Sequence, residues 1–550
     1  MLACSAMVAC TNEDLLENNG LVGAEGQAYV NVKLVTSTSN GSRSTSDGGY
    51  AAGNENLING GNSIFLFYEE DGHWVTSGVI STETPSKDNV ADDKDATTND
   101  KEGTATIVLQ GTETELARCA KVLTVINYSG CENLKQLTLD QALNVIATST
   151  ADDAQGTKKG FLMSTSVYKD SDGKIINYTE VNSDNICATA DLARKNPVII
   201  HVERAAAKVD VAVTTDETKL QLNGDKGIVV DGVITPVQVT IDGWTLNGIN
   251  ENTNIVKKLE DAWLVSGNGD VPFADWNKAS DYRSFWAMSS NYAGNNGLTY
   301  KKYSQAKTTG STVEYCYENN VDKYVINYNV VTENHKVTTV LIAAHFNLLD
   351  KDGKPVTAQT LYEYNGVYYT DANYKKLILK QLKDAEFKKA ITDGVSDLEE
   401  SDLNEFVTNG TLAGIQVTVK DGTYTKSGEA SSKAAIDAVL ADLDYVKEAE
   451  VYFNGQCYYQ VPIEHLAAKT GVNTYTEADG VKTYNFVEGY YGVIRNHHYK
   501  LSISAIKNIG EPVYNPEVEI DDIPAKLVDF YMAAELHVLN WHVVNQDVEL

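Results

Sequence analysis

Apolar residues fall at every second position through several stretches of this chain, the period at which one face of a β-strand is buried and the other is wet. Ala28, Val30, Val32 and Leu34 alternate with Tyr29, Asn31 and Lys33. Val209, Val211 and Val213 do the same, as do Val237, Val239 and Ile241, and Val340, Ile342, Ala344 and Phe346. Each set predicts a half-buried strand. Residues 63–68 and 120–127 are apolar runs of strand length, with a polar loop over 81–103 between them. Asn365-Gly366 and Asn454-Gly455 each sit between β-rich arms, and both residue types tolerate positive φ, so each pair predicts a hairpin turn.

Three stretches switch to the helical period. Thr138-x-x-Gln141 has the form of a capping box, and Leu139, Ala142, Leu143 and Ile146 follow on one helical face. Residues 374–391 carry Ile378, Leu382 and Ala385 in register, and residues 432–447 carry Ile436, Val439, Leu440 and Leu443. The first helix is expected to cover a sheet edge or end, and the other two stripes read as core packing.

The two ends of the chain are unusual. Near the C-terminus, Leu536 and Val538 alternate with polar neighbours, and beyond Asn540 the large residues Trp541 and Val543 continue on the other parity. Such a strand is either the last rung of its own sheet or a strand lent to another molecule. At the start, a short apolar run ends in Met7-Val8-Ala9-Cys10, which has the look of a lipobox with Cys10 as the acylated residue, and an acidic, amide-rich stretch follows. The basic leader of a secretory signal is missing, so Met1 is expected to lie inside a longer signal peptide. Between residues 28–35 and the next strand runs a polar, Gly-rich linker with Arg43 in its middle. No other Arg occurs before Arg118, so Arg43 is either a solvated linker residue or a single accessible site for an Arg-specific protease.

Composition narrows the class. At 550 residues, with 42% hydrophobic residues, 31 Tyr, 40 Gly and five Met, the chain suits twisted sheets with many turns, and its length calls for more than one core. The fold class is read as all-β with a few short helices, and the polar stretch 214–227 as a domain boundary. A net charge of −31 argues against nucleic acid or an anionic membrane face as partner. Seven Cys with no CxxC spacing make no disulfide framework, so Cys119, Cys131, Cys187, Cys316 and Cys457 are expected to be buried thiols. None of the nine His has a zinc-ligand spacing, and His497-His498 reads as structural. Without a nucleophile elbow, a phosphate loop or a dinucleotide fingerprint, neither an enzyme nor a cofactor is expected.

Three stretches point further. FLMSTSVY at residues 161–168, VERAAAKVDV at 202–211 and, most specifically, the block over 457–512 that contains GVIRNHHYK resemble the fimbrillins of the Bacteroidales, the type V pilins, and within them the short or minor fimbria subunits. The resemblance implies two transthyretin-like β-sandwich domains, a lipoprotein precursor that reaches the outer membrane, and a cell-surface fimbria built by donor-strand exchange. It divides the chain into a signal peptide over 1–10, a propeptide over 11–43, domains over 44–214 and 215–532, and a donor arm over 533–550. Carried over by position, Cys10 is the lipidated residue, bearing palmitate. Arg43 precedes the cleaved bond, Ala28, Val30, Val32 and Leu34 belong to the removable strand, and Leu536, Val538, Trp541 and Val543 belong to the donor strand. The implied partners are copies of the chain, anchor and tip pilins and an Arg-specific protease, in a stalk that supports adhesion and biofilm formation. A monomeric surface lipoprotein that binds glycan or host protein through exposed Tyr is the competing expectation.

Overall fold

A computed structural model of the chain describes residues 21–22, 27–36, 60–80, 90–91, 102–148, 160–213, 227–259, 277–278, 282–284, 287–292, 297–308, 313–320, 338–383, 398–404, 411–422, 424–426, 429–463, 465, 474–478, 481–485, 492–521 and 542–549. The fold is all-β with short helices at its margins.

The first strand, Gln27–Thr36, is the hinge of the N-terminal architecture. Hydrogen bonding passes from it to Val198–Arg204, then to Met163–Thr165, Lys121–Ile126, Ile64–Tyr68, Trp74–Ile80 and Glu102–Gln110, and this last strand pairs again with Gln27–Thr36. The sheet returns to the strand it began from. Inside it, Ala28, Val30, Val32 and Leu34 pack with Phe65, Phe67, Ile107, Leu109, Val122, Ile126, Ile200 and Val202.

The run Ile64–Tyr68 is buried at all five positions because it has a core on each side. Phe65 and Phe67 face the enclosed core. Ile64, Leu66 and Tyr68 face a second one, covered by Leu139 and Ala142 of the short helix Leu139–Leu143 and by Ile255, Val256 and Tyr317 from later in the chain. Burial without alternation is what a strand between two apolar layers requires.

The sheets part at Ala205. Val198–Arg204 belongs to the N-terminal sheet, whereas Ala206–Val213 runs between Val313–Tyr317 and, in parallel, His497–Ala505. Opposite lies a sheet in the order Val237–Asn247, Thr339–Leu348, Gln456–Pro462 and Glu511–Pro512. Val239 registers with Phe346 and Ile241 with Ala344, so two of the alternating sets read from the sequence are neighbours in one ladder. Their core contains Val209, Val239, Val340, Ile342, Tyr459, Tyr499 and Leu501. A separate helical core holds Tyr374, Ile378 and Leu382 of Asp371–Lys383 against Ile436 and Leu440 of Lys433–Leu440.

Several elements depart from their sequence-based expectation. The capping box at Thr138 and Gln141 forms, but the helix stops at Leu143. Ile146 then opens a strand, Ile146–Thr148, paired with Asn252–Asn254. The stripe over 432–447 is two helices, Lys433–Leu440 and Asp444–Lys447, with Leu443 as the N-cap of the second. Asn365 and Gly366, at φ 51° and 79°, make the hairpin between Leu361–Tyr364 and Val367–Thr370. Asn454 and Gly455 have similar φ values but turn a corner, because Glu450–Tyr452 and Gln456–Pro462 lie in different sheets. Gly455 is needed there for close approach, since a Cβ would stand 2.1 Å from the Phe346 carbonyl oxygen.

Of the cysteines, Cys119, Cys131, Cys316 and Cys457 are buried and Cys187 is half-buried. Burial pushes the Cys457 thiol up to about 12, so it packs as a small hydrophobe.

Candidate functional site

The geometry that bears on function is that of the two terminal strands and of the junction between the two sets of sheets. Gln27–Thr36 is bonded on both sides. From Gln27 to Val35 it runs antiparallel to Glu102–Gln110, with Gln27 opposite Gln110 and Val35 opposite Glu102. On its other side Tyr29 and Val30 pair antiparallel with Cys187 and Ile186, and residues from Val32 to Thr36 pair in parallel with Val198 to Val202. Ala28, Val30 and Val32 are fully buried and Leu34 nearly so. Burial of each Val or Leu contributes about 1.5–3 kcal/mol, and each net ladder bond about 0.5–1.5 kcal/mol. Asn31, on the opposite face, donates to Thr106 Oγ1 at 3.3 Å.

Without this strand the sheet would open between Glu102–Gln110 and Val198–Arg204. Two bonding edges would then face each other across roughly two strand spacings, about 9.5 Å. Such a slot fits one extended segment with apolar residues at alternate positions.

At the other end, His542–Glu549 is the edge strand of the sheet that contains Ala206–Val213. It runs parallel to His497–Ala505, with Val543 in register with His498 and Val544 with Tyr499. It has this one pairing partner among the described residues. Leu536, Val538 and Trp541 lie outside the described residues, as do Cys10 and Arg43.

The segment GVIRNHHYK forms the junction. Arg495 is completely buried, and its Nε and Nη2 donate to both carboxylate oxygens of Glu318 at 2.8 and 2.6 Å. Nη2 also donates to the Asn254 carbonyl at 2.6 Å and to Thr253 Oγ1 at 3.2 Å. Beside this fork, Lys257 Nζ meets Glu203 Oε2 at 2.7 Å and donates to the Ser284 carbonyl at 2.6 Å. Burial draws the Lys257 pKa down against the opposing pull of Glu203. Arg204 Nη1 donates to Asn496 Oδ1 at 3.0 Å. One buried ion pair, Lys257–Glu203, and the Arg204–Asn496 hydrogen bond thus tie the end of Val198–Arg204, the wall of the N-terminal slot, to residues later in the chain, beside the buried Arg495–Glu318 pair. His497 Nδ1 meets the Arg495 carbonyl at 2.7 Å, and His498 Nε2 meets Asp210 Oδ2 at 2.6 Å, so both histidines are structural. Sequence reasoning missed Glu203, Lys257 and Glu318. The one available signal was the charged Glu203-Arg204 pair at the end of an otherwise apolar strand run.

Among the described residues, no group of three or more His, Cys, Asp or Glu is placed to hold a metal ion, and no helix is long and apolar enough to cross a membrane.

Residues 450–547 match the family model for the C-terminal region of fimbrillin, the major fimbrial subunit protein type IV. That stretch includes the Arg495 junction and His497–Ala505. No curated protein matches the chain. Among solved structures, a cell adhesion protein from Bacteroides eggerthii is similar at 14% identity over 60% of this chain and 77% of that one, with a TM-score of 0.27. The tip fimbrial protein Mfa3 from Porphyromonas gingivalis is similar at 13% identity over 61% of this chain and 83% of that one, also with a TM-score of 0.27. The C-terminal region is fimbrillin-like, and the family match supports a structural, non-enzymatic role as a fimbrial subunit at the cell surface.

Proposed function

We propose that this fimbrillin-like chain is a stalk subunit of a cell-surface fimbria, exported as a lipoprotein acylated at Cys10 and polymerised by strand exchange after cleavage at Arg43. The observation that carries this reading is the position of Gln27–Thr36, a strand bonded on both sides that completes the N-terminal sheet yet precedes the Arg43 linker. While the linker is intact, the strand acts at roughly millimolar effective concentration, and an incoming strand of similar quality loses to it. Cleavage after Arg43 removes that advantage. The strand leaves, the slot opens, and the arm over 533–550 of a neighbour enters with Leu536, Val538, Trp541 and Val543 as its apolar set. Trp541 is the anchor, since an aromatic buries the most area per ordered side chain. One arm in one slot is a head-to-tail contact that does not close, and such contacts build filaments. Copies of the chain, anchor and tip pilins and an Arg-specific protease are the partners of this reading, and adhesion and biofilm formation its consequence.

The arm must also be free to leave its own body. An edge strand bonded on one side is released at lower cost than a strand bonded on two, which among the described residues is the asymmetry between His542–Glu549 and Gln27–Thr36. The same pairing favours a second reading, a monomeric surface protein whose C-terminal strand is a permanent rung. Trimming the purified chain with an Arg-specific protease, followed by gel filtration and electron microscopy, separates the two. Filaments from trimmed protein and none from Arg43→Ala support exchange. Monomer in both, or filaments from both, overturns it.

A further inference from the structure

On the opposite face of Val198–Arg204 from the enclosed core, the protein carries a cavity of about 400 Å³ that the assembly reading does not use. This volume lies in the range of small-molecule sites. Its walls come from residues between Thr165 and Glu180, from Ile199 and His201 of Val198–Arg204, and from the distant Tyr282. Tyr282 lies flat on His201, with ring centroids 3.7 Å apart and planes 9° apart, and Tyr168 meets Tyr282 edge-on at 5.4 Å. Tyr282 is 40% exposed and has φ 49°, a left-handed conformation that a bulky residue adopts only at a cost. An aromatic ring held at the mouth of a cavity by a strained backbone is a platform.

The polar groups of the cavity decide what the platform receives. Ser166 is 1% exposed, and its Oγ has no hydrogen-bond partner among the described residues. His201 Nδ1 is buried in the same condition. A buried hydroxyl and a buried ring nitrogen without partners cost free energy unless a ligand supplies the bonds. Asp170 and the exposed Glu180 add carboxylate acceptors to the lining. A ligand that satisfies all of this has an apolar face of C–H groups for the tyrosine ring, hydroxyls for the carboxylates and the orphaned atoms, and no negative charge. A quaternary ammonium would suit the rings and carboxylates but would leave Ser166 and His201 unpaired. Lys121 Nζ already lies 4.7 Å from the centre of the Tyr178 ring.

We propose that this cavity binds a neutral pyranose sugar, stacked on the open face of Tyr282 with its hydroxyls turned to Ser166, His201, Asp170 and Glu180. Its wall strand is also a wall of the slot, since Ile199 and His201 register with Lys33 and Val35 of Gln27–Thr36.

The test uses the full chain in saturation-transfer NMR and titration calorimetry. The probes are methyl glycosides of galactose, mannose, glucose and N-acetylglucosamine, together with N-acetylneuraminic acid, choline and a proline-rich peptide. Binding of at least one neutral glycoside is expected, weakened roughly tenfold or more in Tyr282→Ala, at an unchanged melting temperature. If Tyr282→Ala lowers the melting temperature, Glu180→Lys at the exposed rim decides in its place, with loss of sugar binding expected. Absence of binding by every neutral glycoside, equal binding by the variant, or preference for the acid, choline or the peptide overturns the assignment.

Discussion

Val32 stands beside Val198 in a parallel ladder, and both side chains lie in the core that the N-terminal sheet encloses. A residue near the front of the chain is thereby locked to one far along it, with Ala105 on the other flank. The first prediction follows from this enclosure. Leu34→Ala should destabilise the uncleaved chain by about 2–5 kcal/mol, the usual cost of truncating a buried Leu. Denaturant melts read by amide exchange should place the loss in the N-terminal sheet. A melt unchanged within error would mean that the strand contributes nothing to that core.

The Arg495–Glu318 fork predicts asymmetric mutational costs. Removing one member leaves a buried charge uncompensated, so Glu318→Ala should cost about 3–5 kcal/mol. Replacing both, as Arg495→Met with Glu318→Leu, should cost much less than the two single changes added together. A double-mutant cycle with no coupling would contradict the reading of the pair as one unit.

Much of this architecture was legible in the sequence where a pattern is local. The alternation through Ala28, Val30, Val32 and Leu34 gave a strand with the right buried face, and Asn365-Gly366 gave a hairpin. What failed was set by distant partners. Asn454-Gly455 carries the same turn chemistry as Asn365-Gly366, but the Phe346 carbonyl presses on Gly455, and the flanking strands go to different sheets. Ile146 fits a helical stripe, yet Asn252–Asn254 offers it a ladder. That Gln27–Thr36 joins Glu102–Gln110 to Val198–Arg204 could not be read at all, because pairing across such separations leaves no trace in either segment alone. The buried ions Glu203, Lys257 and Glu318 were hidden among many solvated charges, and the Tyr282–His201 stack brings together residues from separate stretches.

His201 gives the pH prediction. Burial lowers its pKa from the ordinary value near 6.5 to about 4. Between those values the unfolded chain holds a proton that the folded chain does not, so stability rises with pH in that window and falls as pH drops from 6.5 toward 4. His201→Gln should lack this component, and its melting temperature should fall less than that of the parent over the same range. Identical pH dependence in the two proteins would remove His201 as a contributor.

The C-terminal arm carries a prediction about assembly. Deleting residues 533–550 should leave both sets of sheets folded, with unchanged circular dichroism, while abolishing elongation of trimmed protein. Trp541→Ala should give filaments that dissociate at lower denaturant than the parent's. Global unfolding of the deletion variant would instead identify the strand as a permanent rung of its own sheet.

The central claim is that the first strand must vacate its slot before another chain can enter, and a reversible staple tests this directly. Lys33 lies opposite Thr104 in the ladder with Glu102–Gln110. Cys at both positions, Lys33→Cys with Thr104→Cys, would bond the strand in place under oxidising conditions. After trimming at Arg43, the oxidised protein should remain monomeric by light scattering, and adding reductant should start polymerisation. Filaments that grow equally well with the staple closed would contradict the account.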